Sequence, residues 1–472
     1  MADEALGASF RDPSGFVFSR EGALYRQVNR AYAAHYDHLV ASGLYADLAG
    51  RGLLIPHAEE TGVPAEAEGA YRVLRPERVA FVSYPYEWSF SQLRDAALLT
   101  LEVQRRAQGF GMTLKDASAF NVQFHRGRPV WIDTLSFEIW REGRPWVPYR
   151  QFCQHFLAPL ALVAHRDPRL GSLSREHLDG VPLDLASALL PARAWLDPHL
   201  LVHLRIHARF QRRYADRADA SVRTRRMSRR ALEGLVAALE SAVRRLRLRA
   251  AATPWSAYYA GDSYSDESAQ ERRTRVAEWI GRMRPATLLD LGANTGAMSR
   301  LASGLGIPTV ALDADPVCVD TAWREARAAG DAHLLPLVVD LTNPSPALGW
   351  ANEERAPISE RFRAEAVMAL ALVHHLAVAS NVPLPRVARW LSGLGEQLLI
   401  EFVPKSDPKV RRLLAAREDV FPDYSREGFE RAFAAYFETL EIAPLRGSER
   451  VLYRMRRRPD AAAGPRSGAE LA

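Results

Sequence analysis

Apolar and polar positions follow different patterns in the two parts of the chain. Between about residues 275 and 455, short apolar runs are separated by segments with helical spacing. The runs predict buried strands at residues 287–291, 309–313, 335–340, 366–371 and 397–402. Strands that are apolar throughout and separated by helices are typical of a parallel sheet covered on both faces. This region is therefore predicted to be an α/β domain with a mostly parallel, doubly wound sheet.

Two further elements are expected at the end of this region. Phe429, Phe433 and Phe437 recur at intervals of four residues, a spacing that predicts a helix. The apolar positions of residues 450–455 then predict a final strand.

The first 250 residues show a mixed pattern. In chain order, the predicted elements are strands at 15–18 and 23–28, a helix at 91–109, and hairpin strands at 121–124 and 129–133. Arg126-Gly-Arg is the predicted hairpin turn, and residues 150–250 are predicted to be mainly helical. We therefore expect an α+β domain in this part of the chain.

The length of 472 residues is too great for a single hydrophobic core. We expect the α+β domain over residues 1–250, with a short lobe at about 1–85 and a helical lobe at 86–250. The α/β domain is expected over residues 251–460. Residues 461–472 are rich in Ala and Gly and are expected to form a disordered tail.

Composition excludes several classes of protein. A hydrophobic fraction of 48% and a charged fraction of 25% are those of a soluble globular protein. We find no run of about 18 apolar residues, and the N-terminus lacks the basic start and apolar run of a signal peptide. Two cysteines without a CxxC pair argue against a disulfide framework and a cysteine zinc site. We expect a cytoplasmic protein without a membrane span, and the sequence leaves its oligomeric state open.

Ten arginines lie between Arg217 and Arg249 and give this segment an excess of positive charge. A nucleic-acid-binding patch is one interpretation. The other is the solvated face of a helix, since Leu232, Val236 and Val243 follow a helical period. The helix face is favoured, so nucleic acid is not an expected partner.

A glycine-rich turn follows the first strand of the α/β region. Asp290 ends this strand, and Gly292, Asn294 and Gly296 precede a helix that is predicted from Ala297. Glycines permit a left-handed backbone and let a ligand approach closely, while the helix presents free N–H groups. The G-x-G-x-x-G spacing of dinucleotide-binding oxidoreductases is absent from this turn. The turn therefore predicts a nucleotide-like ligand.

Acidic and histidine side chains follow the next strands of this region. Asp313 ends the second strand, where a carboxylate can accept hydrogen bonds from both hydroxyls of a ribose. Asp340 ends the third predicted strand, where it would meet an adenine amine. A helix N-cap role is the alternative for both acids. His374 and His375 follow the fourth strand, and we expect either a general base or substrate-orienting group, or a structural pair.

The turn and the acids behind it resemble the class I S-adenosylmethionine-dependent methyltransferases over about residues 265–458. That family has the pattern D-x-G-x-G-x-G, then an acid after the second strand and another near the third. The matching positions are Asp290, Gly292, Gly296, Asp313 and Asp340. Asn294 stands where the middle glycine is usual, and Asn tolerates a positive φ. The resemblance implies that these six residues bind S-adenosylmethionine.

A second constellation lies in the α+β region. Asp116 and Asn121 lie five residues apart, and Asp133 ends the second hairpin strand. This segment resembles the catalytic segment of protein kinases and of aminoglycoside-type small-molecule kinases. The resemblance implies that Asp116 orients an acceptor hydroxyl and that Asn121 and Asp133 hold Mg²⁺ beside ATP. Turn and cap chemistry at a hairpin is the alternative.

The α+β region departs from active kinases in three respects. No glycine-rich phosphate loop precedes the segment, Arg26 stands where the phosphate-binding lysine is expected, and Asp133-Thr-Leu replaces Asp-Phe-Gly. Residues 79–87 would be the hinge of such a fold. A kinase-like fold without phosphoryl transfer is therefore favoured over an active kinase.

Three segments are rich in aromatic residues and are candidates for ligand recognition. The aromatic side chains of residues 255–264 would cover a sulfonium by cation–π contact, with interdomain packing as the alternative. The runs 83–90 and 137–146 suit a sugar or a planar acceptor if they are exposed, although core packing is favoured.

Methyl transfer from S-adenosylmethionine to a small-molecule or glycan-type acceptor is the predicted function. The whole chain is also similar to a bacterial group of two-part methyltransferases that includes a host-specific nodulation protein. Two alternatives stay open. In the first, the N-terminal region is an ATP-dependent kinase, either alone or in addition to methyl transfer by the C-terminal region. In the second, both regions only bind ligands and the protein is a scaffold.

Overall fold

The computed structural model of the protein describes residues 4–63, 65–209, 226–249, 266–361, 363–415 and 418–459. The chain forms two compact units. Unit 1 consists of Met1–Ala250 and Ala347–Ala356, and unit 2 consists of Ala251–Pro346 and Pro357–Ala472. No helix within the described ranges is long and apolar enough to cross a membrane.

An antiparallel sheet forms the first part of unit 1. Its strands are β1 (Glu4–Ala5), β2 (Gly15–Arg20), β3 (Ala23–Asn29), β4 (His57–Glu60) and β5 (Ala70–Pro76). They lie in the order β1-β2-β3-β5-β4. Helices α1 (Ala33–Ala41) and α2 (Leu44–Gly50) connect β3 to β4. The strands predicted at 15–18 and 23–28 are confirmed as β2 and β3.

A long helix and two short strand pairs form the middle of unit 1. These elements are α3 (Phe90–Gly109), β6 (Met112–Leu114), β7 (Val122–His125), β8 (Arg128–Trp131) and β9 (Phe137–Ile139). Ser89 caps α3, because its hydroxyl accepts from the Gln92 N–H while the Gln92 side chain accepts from the Ser89 N–H. Strands β7 and β8 form the predicted hairpin, in which Arg126 and Gly127 have the positive φ that a tight hairpin turn needs. Strand β6 pairs with β9.

The remainder of unit 1 is mainly helical in its described part, as predicted. The helices are α4 (Tyr149–Phe152), α5 (Ala158–His165), α6 (Leu173–Glu176), α7 (Leu183–Leu189), α8 (Pro198–Leu200) and α9 (Arg229–Arg245), with π-helical turns at Cys153–Leu157 and Leu201–Ile206. Leu232, Val236 and Leu239 of α9 are buried, whereas Arg229 and Arg244 are exposed. This part of the arginine-rich segment is therefore an amphipathic helix. Residues 217–225 lie outside the described residues.

Unit 2 contains a mixed sheet in its described part. The strands are β10 (Leu288–Leu291), β11 (Thr309–Asp313), β12 (Leu334–Val338), β13 (Ala364–Ala369), β14 (Gly395–Phe402), β15 (Phe437–Pro444) and β16 (Val451–Arg457). Their order is β12-β11-β10-β13-β14-β16-β15. Neighbours from β12 to β14 are parallel, and β16 is antiparallel to both β14 and β15. The predicted mostly parallel sheet is confirmed.

Helices connect most of these strands. They are α10 (Asp266–Met283), α11 (Ser299–Ser303), α12 (Pro316–Ala329), α13 (Ile358–Arg361), α14 (Leu384–Leu394), α15 (Pro408–Leu414) and α16 (Arg426–Ala434), with a π-helical turn at His375–Ala379. The chain runs outward from β10 to β12 on one side and continues at β13 on the other. The strand order therefore reverses between β10 and β13, and open α/β sheets bind ligands beyond the carboxyl ends of strands at such a point.

Two expectations about the ends of elements are wrong. Phe437 is not helical, because α16 ends at Ala434 and Phe437 begins β15 opposite Arg457. A spacing of four residues fits a strand as well as a helix, since positions an even number apart share one face of a strand. Strand β12 ends at Val338, so Asp340 lies two residues beyond it.

Candidate functional site

The glycine-rich turn of unit 2 has a left-handed backbone at three positions. Gly292, Asn294 and Gly296 have φ values of 73°, 52° and 74°. A Cβ atom at Gly292 would lie 3.2 Å from Cδ1 of Leu372, which is tighter than ordinary van der Waals contact. The Gly292 N–H donates to the Leu312 carbonyl over 2.9 Å and ties the turn to β11. Position 292 therefore favours glycine for both conformation and space.

Asp313 fixes this turn from the end of β11. Its Oδ2 accepts from the Asn294 N–H over 2.7 Å, and its Oδ1 accepts from the Asp315 N–H over 2.8 Å. Burial raises the pKa of Asp313, and these backbone donors oppose that rise. The N-cap of α12 is Asp315, whose carboxylate accepts from Val317. The N-cap alternative for Asp313 is therefore wrong, although Asp315-Pro316 was a readable helix-start signal.

Asp290 is buried at the end of β10. Its Oδ2 accepts from the Ser299 hydroxyl over 2.6 Å. Burial raises the pKa of Asp290 to about 7, although the Ser299 hydrogen bond and the charge of Arg272 act against this rise. Sequence reasoning missed Ser299, because a serine in the first turn of a helix carries no signal for a partner nine residues earlier.

We expect stability to fall with rising pH because of Asp290. The pKa of an Asp in the unfolded chain is about 3.9. Between about pH 4 and pH 7, Asp290 is therefore protonated in the folded protein but ionised in the unfolded chain. The stability that this proton gives is lost as the pH rises through that window. Asp290→Asn should remove this slope and raise the unfolding free energy of unit 2 by about 1–2 kcal/mol above pH 7.5. Thermal unfolding between pH 4.5 and 8 measures it, with the exposed Glu360→Gln as a control for the loss of one charge. An unchanged slope in Asp290→Asn would contradict the expectation.

Asp340 lies beside Asp313 but is exposed. The Val339 N–H donates to the Asp313 carbonyl over 2.8 Å, which holds this part of the chain next to the end of β11. The Oδ1 atom of Asp340 accepts from the Thr342 N–H over 2.8 Å and from the Thr342 hydroxyl over 2.6 Å. Asp340 therefore stabilises a turn with one oxygen rather than capping a helix.

His374 and His375 lie beyond the end of β13. Ala371, just before them, has a φ of 53°, a strained value for a residue with a Cβ atom. His374 is fully buried, its ring nitrogens have no hydrogen-bond partner among the described residues, and its ring centroid is 4.0 Å from that of His375. Burial lowers the pKa of His374 and lowers that of His375 to about 4. Both rings are therefore neutral near pH 7.

A buried charge network lies at the end of β14 and was missed by sequence reasoning. Arg272 lies 3.1 Å from Glu401, and Nε of Arg450 donates to Oδ2 of Asp407 over 2.7 Å. Nη1 of Arg450 also lies 3.7 Å from Oε1 of Glu401. These four residues are far apart in the sequence and have no common spacing, so their proximity gives no sequence signal.

The candidate kinase residues of unit 1 have local partners. Asp133 forms an ion pair with Arg26 and accepts from the Leu135 N–H over 3.2 Å. Oδ1 of Asp116 accepts from the Ser118 N–H over 2.9 Å. The carbonyl of Asn121 accepts from the Ile132 N–H, and its Nδ2 is buried without a partner among the described residues. The turn and cap chemistry that we considered as the alternative is therefore present at Asp116 and Asp133.

The aromatic runs of unit 1 are largely buried. Tyr84, Trp88 and Phe90 of the first run and Phe137 and Trp146 of the second are each less than a tenth exposed. Core packing, the favoured interpretation, is thus confirmed for these side chains. The aromatic residues of the segment 255–264 lie outside the described residues.

Comparison with known proteins gives one relative along nearly the whole chain. No protein-family model matches the chain. Over 459 residues it is 36% identical to nodulation protein NoeA of Rhizobium meliloti (strain 1021), which amounts to 96% of each chain.

Solved structures are similar to less than half of the chain. Magnesium protoporphyrin IX methyltransferase (ChlM) from Synechocystis PCC 6803 is 14% identical over 43% of this chain and 93% of its own, with a TM-score of 0.32. N-methyltransferase NodS from Bradyrhizobium japonicum WM9 is 11% identical over 41% of this chain and 98% of its own, with a TM-score of 0.31. Likenesses at this level fix no activity for this chain.

Proposed function

The chain belongs to the family of the nodulation protein NoeA, and we propose that its unit 2 is a class I S-adenosylmethionine-dependent methyltransferase. The observation that carries the proposal is the place of Asp313. Asp313 is the last residue of β11, the strand next to β10, and its carboxylate accepts a hydrogen bond from the N–H of Asn294 in the left-handed turn. A carboxylate beside such a turn, at the carboxyl edge of a parallel sheet, is suited to binding the ribose of a nucleoside.

The residues around the turn fit S-adenosylmethionine in shape and in hydrogen bonding. Gly292 provides the left-handed backbone that shapes the turn, and its missing side chain leaves room for Leu372 to pack against the turn. An ionised carboxylate has about four acceptor sites. Asp313 accepts from the Asn294 and Asp315 N–H groups, and the Ala314 N–H is a third, weaker donor to it. We assign its remaining acceptor capacity to the ribose hydroxyls. Asp340 is exposed, and one of its oxygens remains available for the adenine amine.

We assign the chemistry to positioning rather than to a strong base. When bound, S-adenosylmethionine would supply an electrophilic methyl group on its sulfonium. His375, neutral near pH 7, can accept a hydrogen bond from the O–H or N–H of an acceptor and hold it in line. The buried ring of His374 packs against His375 and limits its rotation. Because burial makes these imidazoles weak bases, orientation of the acceptor is their main contribution.

A small molecule or a glycan is the proposed acceptor. Two of the described arginines that would favour nucleic acid are paired with acids along α9. Arg229 lies 3.0 Å from Glu233, and Arg244 lies 2.8 Å from Glu240. The positive charge of this helix is therefore partly neutralised, which supports a non-nucleic-acid acceptor.

Calorimetry with S-adenosylmethionine tests the proposed function. The full chain should bind the cofactor and should form S-adenosylhomocysteine when it is added to a lysate that contains the acceptor. A protein that binds without any turnover in such lysates would support the scaffold alternative. A protein that does not bind S-adenosylmethionine would remove the methyltransferase proposal.

For unit 1 we propose a kinase-like fold that does not transfer phosphate. A sheet with a helical connection between β3 and β4, then a long helix, the β7–β8 hairpin and strand β9, supports the fold. The residues do not fit Mg²⁺, because the carboxylate of Asp133 is already paired with the guanidinium of Arg26. No phosphoryl-transfer step is therefore assigned to Asp116, Asn121 or Asp133.

We expect Mg²⁺ and ATP to leave the thermal stability of the protein unchanged. We expect the ion pair of Arg26 with Asp133, in contrast, to contribute to the stability of unit 1. Arg26→Met should lower the unfolding free energy of unit 1 by about 1–2 kcal/mol, because it leaves the half-buried Asp133 without its cation. Thermal unfolding measures both effects. Arg72→Met is the matched control, since Arg72 and Glu59 form an exposed pair that contributes less than about 1 kcal/mol. A clear stabilisation by Mg²⁺ and ATP would favour the kinase alternative.

A further inference from the structure

A cleft beside strand β9 of unit 1 plays no part in the proposed methyl transfer. It has a volume of about 300 Å³, including its opening to solvent. Strands β6 and β9, the segment that follows β9 and helix α9 all contribute residues to it, and all of these belong to unit 1. We call it the 140–146 cleft, because its polar lining consists of Thr113, Glu138, Trp140, Arg141, Arg144 and Trp146.

Backbone hydrogen bonds hold the segment that forms one side of the 140–146 cleft. The Arg144 N–H donates to the Arg141 carbonyl over 3.2 Å and closes a turn. Within this turn, the Gly143 carbonyl accepts from the Met227 N–H over 3.2 Å, which ties the turn to the residues just before α9. The side chains of Arg141 and Arg144 therefore start from a fixed backbone.

Two indole N–H groups of the residues lining the cleft have no acceptor. The Nε1 atoms of Trp140 and Trp146 are buried and have no hydrogen-bond partner among the described residues. The Trp88 indole, in contrast, donates to the Ser83 hydroxyl over 2.9 Å. A buried donor has lost its hydrogen bonds to water, and leaving it unpaired costs free energy. Two such donors on residues of one cleft indicate that a ligand supplies the acceptor.

The charges of the lining residues favour a negatively charged ligand. Arg141 and Arg144 are exposed, and neither forms an ion pair among the described residues. Glu138 is the one acid that lines the cleft, so two guanidinium groups outweigh one carboxylate. Indole and guanidinium groups donate hydrogen bonds and accept none. The ligand should therefore carry both acceptor atoms and negative charge.

We propose that the 140–146 cleft binds an anionic oxygen group of a ligand, namely a carboxylate, a sulfate or a phosphate. The enclosed part of the cleft has room for about one water-sized group, so an oxygen of such an anion fits and a whole sugar ring does not. The indole N–H groups of Trp140 and Trp146 donate to the anion, and Arg141 and Arg144 neutralise its charge. This site lies within unit 1 and does not depend on the proposed function of unit 2.

Nuclear magnetic resonance of the indole N–H groups tests the site in the full chain labelled with ¹⁵N-tryptophan. Sulfate, phosphate and acetate are added separately, while sodium chloride keeps the ionic strength constant. At least one of these anions should shift the signals of Trp140 and Trp146 until they saturate, and the one that binds most tightly identifies the group. Trp140→Phe and Trp146→Phe identify the two signals, because each variant lacks one of them.

A matched pair of arginine variants separates this site from general attraction of anions. Arg144→Gln should weaken anion binding by about 10- to 100-fold, the effect of losing a hydrogen bond to a charged group. Arg128→Gln removes the same charge from β8, where Arg128 is exposed and does not line the cleft, and should change the affinity by less than about twofold. Both positions are exposed, so we expect both variants to fold.

Three results would overturn the proposal. The first is that no anion gives a saturable shift of the two indole signals, or that chloride alone gives the same shift. The second is an equal loss of affinity in Arg144→Gln and Arg128→Gln, which would mean that the anion is attracted only by the net charge. The third is that methyl glucoside, an uncharged sugar, shifts both signals as strongly as the anions do, since the cleft would then recognise hydroxyl groups.

Discussion

Asp313→Ala is expected to weaken the binding of S-adenosylmethionine by at least about 100-fold, since two hydrogen bonds to a charged group contribute about 1.5–3 kcal/mol each. The substitution removes the carboxylate proposed to bind the ribose. It also removes the acceptor of the Asn294 and Asp315 N–H groups, so the left-handed turn loses the contact that fixes it. Calorimetry with the purified full chain measures the loss.

Two further variants make this expectation specific. Asp313→Asn keeps the shape and one carbonyl acceptor, and it should fall between the wild type and Asp313→Ala. Asp315→Asn lies at the same junction and retains N-cap ability, because Asn and Asp cap helices about equally well. It should bind with nearly wild-type affinity. An Asp313→Ala protein that binds like the wild type would show that the carboxylate does not contact the ligand.

The core of the candidate site was predictable because its parts follow the ends of adjacent parallel strands. In the register of the sheet, Leu291 lies opposite Leu312, so the residues that follow them meet at one edge. The apolar runs in the sequence predict the strands, and the residues that follow each run are those expected at the carboxyl edge of the sheet. Asp290, the turn and Asp313 could therefore be placed together from the sequence alone.

Other parts of the site depend on contacts that a sequence pattern does not carry. His374 is buried and directly precedes the π-helical turn His375–Ala379, and helical periodicity does not distinguish such a turn from an α-helix. Arg272 and Glu401 of the buried charge network lie in elements that are distant in the sequence. Neither residue type nor spacing indicates such a partner.

Unit 1 shows the same division between local and distant information. The order of its helix, hairpin and acidic residues could be predicted, because each element has a local pattern. The ion pair between Arg26 and Asp133 joins residues 107 positions apart. Because it occupies the carboxylate of Asp133, this residue does not fit a Mg²⁺ site. In the sequence, Arg26 is notable only because it stands where a kinase would have a lysine. Its pairing with Asp133 is seen in the structure.

The buried charge network of unit 2 joins three elements of the fold. Arg272 lies on α10, Glu401 on β14 and Arg450 just before β16. Arg450 and Glu401 are both completely buried. Removing one partner from a buried pair leaves a charge that neither water nor a counter-ion compensates, and this is more costly than replacing the whole pair by neutral groups. Substitution of Arg450 should therefore be strongly damaging to the fold of unit 2.

Arg450→Met is expected to lower the stability of unit 2 by about 3–5 kcal/mol, the usual loss when one partner of a buried ion pair is removed. Methionine fills much of the volume, so the main effect is the uncompensated charge of Asp407, which Arg450 contacts at 2.7 Å. Hydrogen exchange of peptides from β14 and β16 measures this loss in unit 2 separately from unit 1.

Two comparisons decide whether charge burial is the cause. Arg456→Met lies on the same strand, but its pair with Glu438 is exposed, so the loss should stay below about 1 kcal/mol. Adding Asp407→Asn to Arg450→Met should recover part of the lost stability, because the second change removes the unpaired charge. If the amides of β14 and β16 exchange equally fast in the Arg450→Met and Arg456→Met variants, the buried network stabilises the fold no more than an exposed ion pair does. If the double variant is less stable than Arg450→Met alone, the loss comes from packing and not from charge.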